Sequence, residues 1–135
     1  MRLYLDSNVI ISLFKEEIGH NLRPLYQEAE SFLEKIKIEK DILIISTLAI
    51  KEINKICKTQ MEDVDSYLKE HKILFEYVQK KDFLKTSSFE SRGIHLLDSL
   101  HIAIAIANKC DAIITFNKKD FDKQDQIAVL EPLEY

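Results

Sequence analysis

The chain has 135 residues, of which 46% are hydrophobic and 31% charged, proportions that exclude a disordered polymer and suit one hydrophobic core rather than two. Its net charge of −4 excludes a simple electrostatic grip on nucleic acid, which rests on a basic patch; bound metal ions would have to neutralise phosphate instead. No apolar run approaches the roughly 20 residues of a membrane-spanning helix, and Met1 leads into Leu3-Tyr4-Leu5 without the basic start and cleavage site of a secretory signal, so a cytoplasmic protein is expected.

Leu3 to Leu5 reads as a short apolar strand, followed by a helix from Asn8 or Val9 to about Lys15. Pro24 suits a first helical turn, and Leu25, Ala29, Phe32, Leu33 and Ile36 recur at helical spacing after it. Ile42 to Ile45 is a continuous β-branched run, as in a strand buried on both faces. Ser46 or Thr47 then caps a helix. A further helical stretch is expected from about Glu62 to Gln79, then a polar segment from Ser87 to Gly93. Leu96 to Ala107 is helical and apolar nearly all round, the mark of a core helix. Ala112 to Phe116 and Ile127 to Leu130 complete the strands. This alternation predicts an α/β fold with a short central parallel sheet flanked by helices on both faces, formed by residues 1–135 as one domain. Ligand sites in such sheets lie beyond the carboxyl ends of the strands. Two glycines leave no phosphate-cradling loop. Cys57 and Cys110 fall in apolar helical patterns and read as small hydrophobes in a reducing compartment.

Asp6 falls at the carboxyl end of the first strand, where an aspartate either caps the next helix or lines a ligand site. Glu52 lies at the border of the apolar arc of Ala49, Ile50, Ile53, Ile56 and Cys57, where a glutamate is ordinarily solvated. Asp98 shares its helix with Leu96, Leu97, Leu100, Ile102 and Ile104. An unpaired carboxylate buried there costs several kcal/mol, so it needs a partner, a metal or a proton. The alternative, that Asp98 caps the helix, requires a start after Leu97, although the periodicity already runs through Leu96 and Leu97. His101 reads as a hydrogen-bonded core residue and is left outside the site. Asn117 and Asp120 follow a strand, in a tetrapeptide that alone reads as a turn. Taken together these acids can converge on one cleft, where their repulsion calls for a hard cation such as Mg²⁺ or Mn²⁺.

Four segments carry a resemblance to a known family: Leu5-Asp6-Ser7-Asn8-Val9-Ile10; Ile45-Ser46-Thr47-Leu48 with Glu52-Ile53; Asp98-Ser99-Leu100-His101-Ile102-Ala103; and Thr115-Phe116-Asn117-Lys118-Lys119-Asp120-Phe121. In this order and spacing they resemble the PIN-domain nucleases, and within them the VapC-type toxins of prokaryotic toxin–antitoxin pairs. The resemblance implies that Asp6, Glu52 and Asp98 match the family's first three acids. Asp120 is the candidate fourth, with Asn117 a polar helper and Ser7 and Asn8 steadying the Asp6 loop. It also implies an Mg²⁺- or Mn²⁺-dependent endoribonuclease, with metal held by Asp6 and Asp98, Glu52 binding metal or orienting its waters, and Asp120 completing the negative pocket. Implied partners are an RNA substrate, a small antitoxin and a second copy in a homodimer. The apolar faces of the helices from Pro24 and Glu62 either receive the antitoxin or fill the domain's own core. Lys118, Lys119 and Lys123 lie near the cleft, as phosphate contacts or as solvated surface. Two rivals remain: a PIN-like binding or scaffold module without activity, and a haloacid-dehalogenase-like phosphatase. The phosphatase is disfavoured because Asp6-Ser7-Asn8 lacks the second aspartate of Asp-x-Asp.

Overall fold

Short aliphatic and β-branched runs form the strands β1 (Arg2–Leu5), β2 (Ile42–Ser46), β3 (Leu74–Val78), β4 (Ala112–Ile114) and β5 (Ala128–Leu130). Between them lie helices α1 (Ser7–Phe14), α2 (Leu25–Glu39), α3 (Thr47–Cys57), α4 (Met61–Glu70), α5 (Ser87–Glu90), α6 (Leu96–Ala107) and α7 (Lys118–Phe121). The computed structural model describes residues 1–79 and 86–135. Its strands form one parallel sheet in the order β3-β2-β1-β4-β5. The expected α/β architecture is therefore present. Strand alternation divides the core in two. Leu3, Leu5, Leu43, Ile45, Ala112 and Ile114 face α1, α2, α3 and α4, while Tyr4, Ile44 and Ile113 face α6 and α7. Among the described residues no helix is long and apolar enough to cross a membrane.

Several expectations need correction. The stretch from Glu62 to Gln79 is not one helix. Helix α4 ends at Glu70, and Leu74–Val78 pairs in parallel with β2 as the edge strand β3. Its partly exposed alternation is that of an edge, and the break before it rests on Lys72 at φ 58° rather than on glycine or proline. The segment from Ser87 to Gly93 begins with the short helix α5. Helix α6 has the expected bounds, but its first turn is not core: Leu96 and Leu97 are exposed. The apolar faces of the helices after Pro24 and around Glu62 are used internally, with Ala29, Phe32, Leu33, Ile36, Val64 and Leu68 buried together. Cys57 and Cys110 are free and half-buried against the two cores.

The chain runs outward from β1 through β2 to β3, then returns to place β4 on the other side of β1. The β1/β4 junction is thus the topological switch point, beyond whose carboxyl ends this class of sheet binds ligands.

Candidate active site

Asp6 leaves β1 at that junction, its N–H donating to the Ile114 carbonyl at 3.0 Å, so the residue is held to β4 as the strand ends. It occupies the position before α1, yet its carboxylate makes no capping bond to the helix. Instead Oδ2 accepts from Thr115 Oγ1 at 2.7 Å and Oδ1 from Ser7 Oγ at 3.4 Å. The capping alternative fails on this geometry. Asp6 is only 7% exposed, and its pKa lies above the usual aspartate value. Burial is the main cause; the Glu52 charge adds to it, while His101 and the Thr115 hydroxyl oppose it.

Thr115 is the hub of this corner. Fully buried, its Oγ1 accepts from Asn8 Nδ2 at 3.1 Å and from the Asn117 N–H at 3.0 Å while donating to Asp6. Asn8 Oδ1 in turn accepts from the Phe116 N–H at 3.3 Å. Ser7 and Asn8 therefore do bond around the Asp6 loop, with Asn8 acting through Thr115 and Phe116.

Glu52 comes from α3, whose start is fixed by Ser46: its Oγ accepts from the Ala49 N–H at 3.1 Å. The Glu52 side chain is 28% exposed and its Oε1 lies 2.9 Å from His101 Nε2. Burial would raise its pKa, but the His101 bond and charge and the Ser7 hydroxyl bring it below the usual value. Ligand atoms of Asp6, Glu52 and His101 all lie within 4.8 Å of one another. The His101 ring is buried, with Nδ1 2.5 Å from the Tyr4 hydroxyl, which is itself 2.7 Å from Ser46 Oγ. Burial depresses the His101 pKa, but the Glu52 hydrogen bond and the charges of Asp6, Glu52 and Asp98 outweigh it and the net direction is up.

Asp98 stands in the first turn of α6, after the start at Leu96 and the cap position at His95, so it is not the helix cap. It is half-buried rather than buried. Its pKa is raised by partial burial and then by the charges of Asp6 and Asp120, against His101 and His95. Asp6 and Asp120 are thus within electrostatic range of Asp98, while the ligand atoms gathered within 4.8 Å of one another are those of Asp6, Glu52 and His101. Asp120, in α7, is exposed, and Asn117 precedes α7 without a side-chain cap bond. Of the nearby lysines, Lys118 pairs with Glu134 at 2.9 Å and Lys123 donates to the Gly93 carbonyl at 3.2 Å, while Lys119 is exposed.

The residues missed from sequence are His101, Tyr4 and Thr115. His101 is three residues past Asp98 and so on the same helix face, a signal that its apolar neighbours masked. Tyr4 is a hydroxyl between Leu3 and Leu5, and Thr115 is visible only as part of a motif. The donor set suits a hard divalent cation. Buried Asp6 and half-buried Asp98 are each held above their ordinary pKa by burial and by neighbouring acids, a conflict that a cation relieves.

The family model for the PIN domain matches residues 3–127. No curated protein matches the chain's sequence significantly. Among solved structures, VapBC2 from Rickettsia felis, bound to a DNA fragment from its promoter, superposes with a TM-score of 0.68 at 19% identity, covering 97% of this chain and 98% of that one. VapBC-1 from nontypeable Haemophilus influenzae gives a TM-score of 0.62 at 18% identity, with 98% and 99% covered.

Proposed function

Because this chain belongs to the PIN-domain family, we propose that it is a Mg²⁺- or Mn²⁺-dependent endoribonuclease, the VapC-type toxin of a type II toxin–antitoxin pair. The observation that carries the reading is Asp6, buried at the β1/β4 switch point and turned to Thr115 instead of capping α1. Asp6 and Asp98 would hold the metal, with Glu52 at the inner edge and Asp120 and Asn117 toward the rim. When bound, such an ion polarises a phosphoryl oxygen and lowers the pKa of water, supplying a nucleophile at neutral pH.

The protein's own part is to orient and to exclude. Thr115 and Ser7 hold the two oxygens of Asp6, and burial of the residue to 7% exposure limits its contact with bulk water. On this reading Asp98, half-buried on α6, would complete the metal's acids from the far side of the cleft and leave the outer side open to a phosphodiester. A net charge of −4 gives RNA little general attraction, so phosphate affinity must come from the metal-loaded cleft and from local cations such as Lys119.

The VapBC neighbours support an antitoxin partner, and exposed Leu96 and Leu97 beside Asp98 offer an apolar approach to the cleft. A cytoplasmic homodimer fits the same reading. Its test is RNA cleavage by purified protein freed of any antitoxin. Cleavage with Mg²⁺ or Mn²⁺ is expected, and Asp6→Asn should reduce it at least about 100-fold, since a metal's transition-state contribution is several kcal/mol. Wild-type protein that cuts no RNA with either metal sinks the proposal; light scattering reads the dimer separately.

A further inference from the structure

We propose that His101 is a positioning residue for Glu52, and that Tyr4 and Ser46 hold its ring in the orientation this requires; the inference rests on Glu52 belonging to the metal-holding cluster. His101 lies in the interior on α6, while Glu52 is a partly exposed residue of α3. The two meet at 2.9 Å, Nε2 to Oε1. A carboxylate only accepts, so Nε2 carries the hydrogen in either charge state of the ring. On the other side, Nδ1 is 2.5 Å from the Tyr4 hydroxyl, and the two rings meet edge to face at 5.6 Å.

The bonds behind the ring can satisfy it in either charge state. The Ala49 N–H donates to Ser46 Oγ and Nε2–H donates to Glu52; with a neutral ring the Ser46 hydroxyl donates to Tyr4 Oη and the Tyr4 hydroxyl to Nδ1, and with a charged ring Nδ1–H donates to Tyr4 Oη and the Tyr4 hydroxyl to Ser46 Oγ. Each hydrogen is used once. The chain starts at the first turn of α3 and returns to α3 one turn later, after passing through β1 and α6. Glutamate has three side-chain rotors and loses up to about 2 kcal/mol of entropy when immobilised. A donor fixed from behind removes that freedom before any cation arrives, and it points the carboxylate toward Asp6, within 4.8 Å. A buried histidine needing only two partners could take backbone carbonyls. Here its outer nitrogen reaches an acid of the cluster instead.

The test compares His101→Gln, His101→Asn and Tyr4→Phe with wild type, reading Mn²⁺ affinity by calorimetry, kcat and KM for RNA separately, and metal-free thermal unfolding. Glutamine places an N–H near the Nε2 position, so Mn²⁺ affinity should stay within about threefold of wild type. Asparagine reaches only the Nδ1 position and should weaken Mn²⁺ binding about 10- to 100-fold, the usual cost of losing a group that orients a ligand. In that variant kcat should fall while KM for RNA holds. Tyr4→Phe removes one oxygen, preserves the apolar ring, and should fall between the two, which keeps the test open if asparagine prevents folding. Wild-type Mn²⁺ affinity in His101→Asn, or in Tyr4→Phe where asparagine does not fold, overturns the proposal. So does failure of glutamine to rescue in a folded protein. If Asp6→Asn leaves Mn²⁺ binding intact, the metal reading itself falls and takes this inference with it. Loss in Asp6→Asn without loss in the His101 variants defeats the positioning role alone.

Discussion

Thr115 Oγ1 serves three groups at once: Asp6 Oδ2, the Asn8 amide and the Asn117 N–H. Thr115→Val keeps the shape of the side chain and removes all three bonds. Leaving partly buried polar groups without a partner costs about 1–3 kcal/mol, so the urea midpoint should fall by a corresponding amount. The same change acts on chemistry. Thr115 favours the charged form of Asp6 against burial, so losing the hydroxyl raises the Asp6 pKa further. The acid limb of the pH–rate profile should move to higher pH; an unmoved limb would show that Asp6 ionisation does not govern it. At this scale the acids of the candidate site were legible in sequence. Asp6, Glu52, Asp98 and Asp120 each broke a local pattern or sat at a strand end. The partners were not, because hydroxyls and a histidine inside apolar segments look like core until the contacts are known. Asp98 stands out in sequence for a reason the structure revises: its helix is apolar, but Asp98 itself is only half-buried, and the buried acid among the four candidates is Asp6.

The elements are closed in an unusual way for a chain with so few glycines. Lys40 and Lys58 follow α2 and α3 at φ 58°, in the left-handed region, and Lys72 and Lys109 adopt φ 58° and 56°. A side chain there costs about 1–2 kcal/mol relative to glycine. This hides helix ends from a reader who looks for glycine or proline, and it is why Leu74–Val78 merged with the helix before it. Strands with unbroken apolar runs, such as Ile42–Ser46, were legible because composition alone marked them. Lys58 supplies the direct test. Its N–H donates to the Asn54 carbonyl at 2.9 Å, a bond glycine retains, so Lys58→Gly should relieve the strain without losing the cap. After subtracting the entropy of a freer unfolded chain, roughly 0.5–1 kcal/mol, a net gain of up to about 1.5 kcal/mol is expected from chemical denaturation. Alanine at the same position gains nothing, since it keeps the Cβ. A stability loss in Lys58→Gly would mean that the lysine side chain contributes more than its backbone costs.

Across the whole molecule, the strand order sets Asp6, just past β1, beside Glu52 of α3 and within electrostatic range of Asp98 of α6, and the proposed metal site makes a joint dependence of stability on pH and metal the expected outcome. The folded pKa values of Asp6 and Asp98 lie above their unfolded values. Their stabilising contribution is complete below the unfolded pKa and is lost as pH rises through the folded one. His101 has the same sign about its own higher range. Glu52 has the opposite sign, its contribution being present above the unfolded pKa and lost as pH falls through the folded one. Ionising Asp6 and Asp98 therefore costs the metal-free fold stability, a cost that grows as pH rises and that a bound cation offsets. A ligand at 100 times its Kd adds about 2.7 kcal/mol, several degrees in Tm for a chain of this size. Protons compete for the same oxygens, so the increment from Mg²⁺ or Mn²⁺ should be large near pH 8 and shrink toward pH 5. Calorimetric scans in chelator and in metal at both pH values measure it directly. Asp6→Asn supplies the control: without a charge to bury, it should melt no lower than metal-free wild type and show little metal increment at either pH. Equal increments at pH 5 and pH 8, or a full increment in Asp6→Asn, would place the cation elsewhere on the surface.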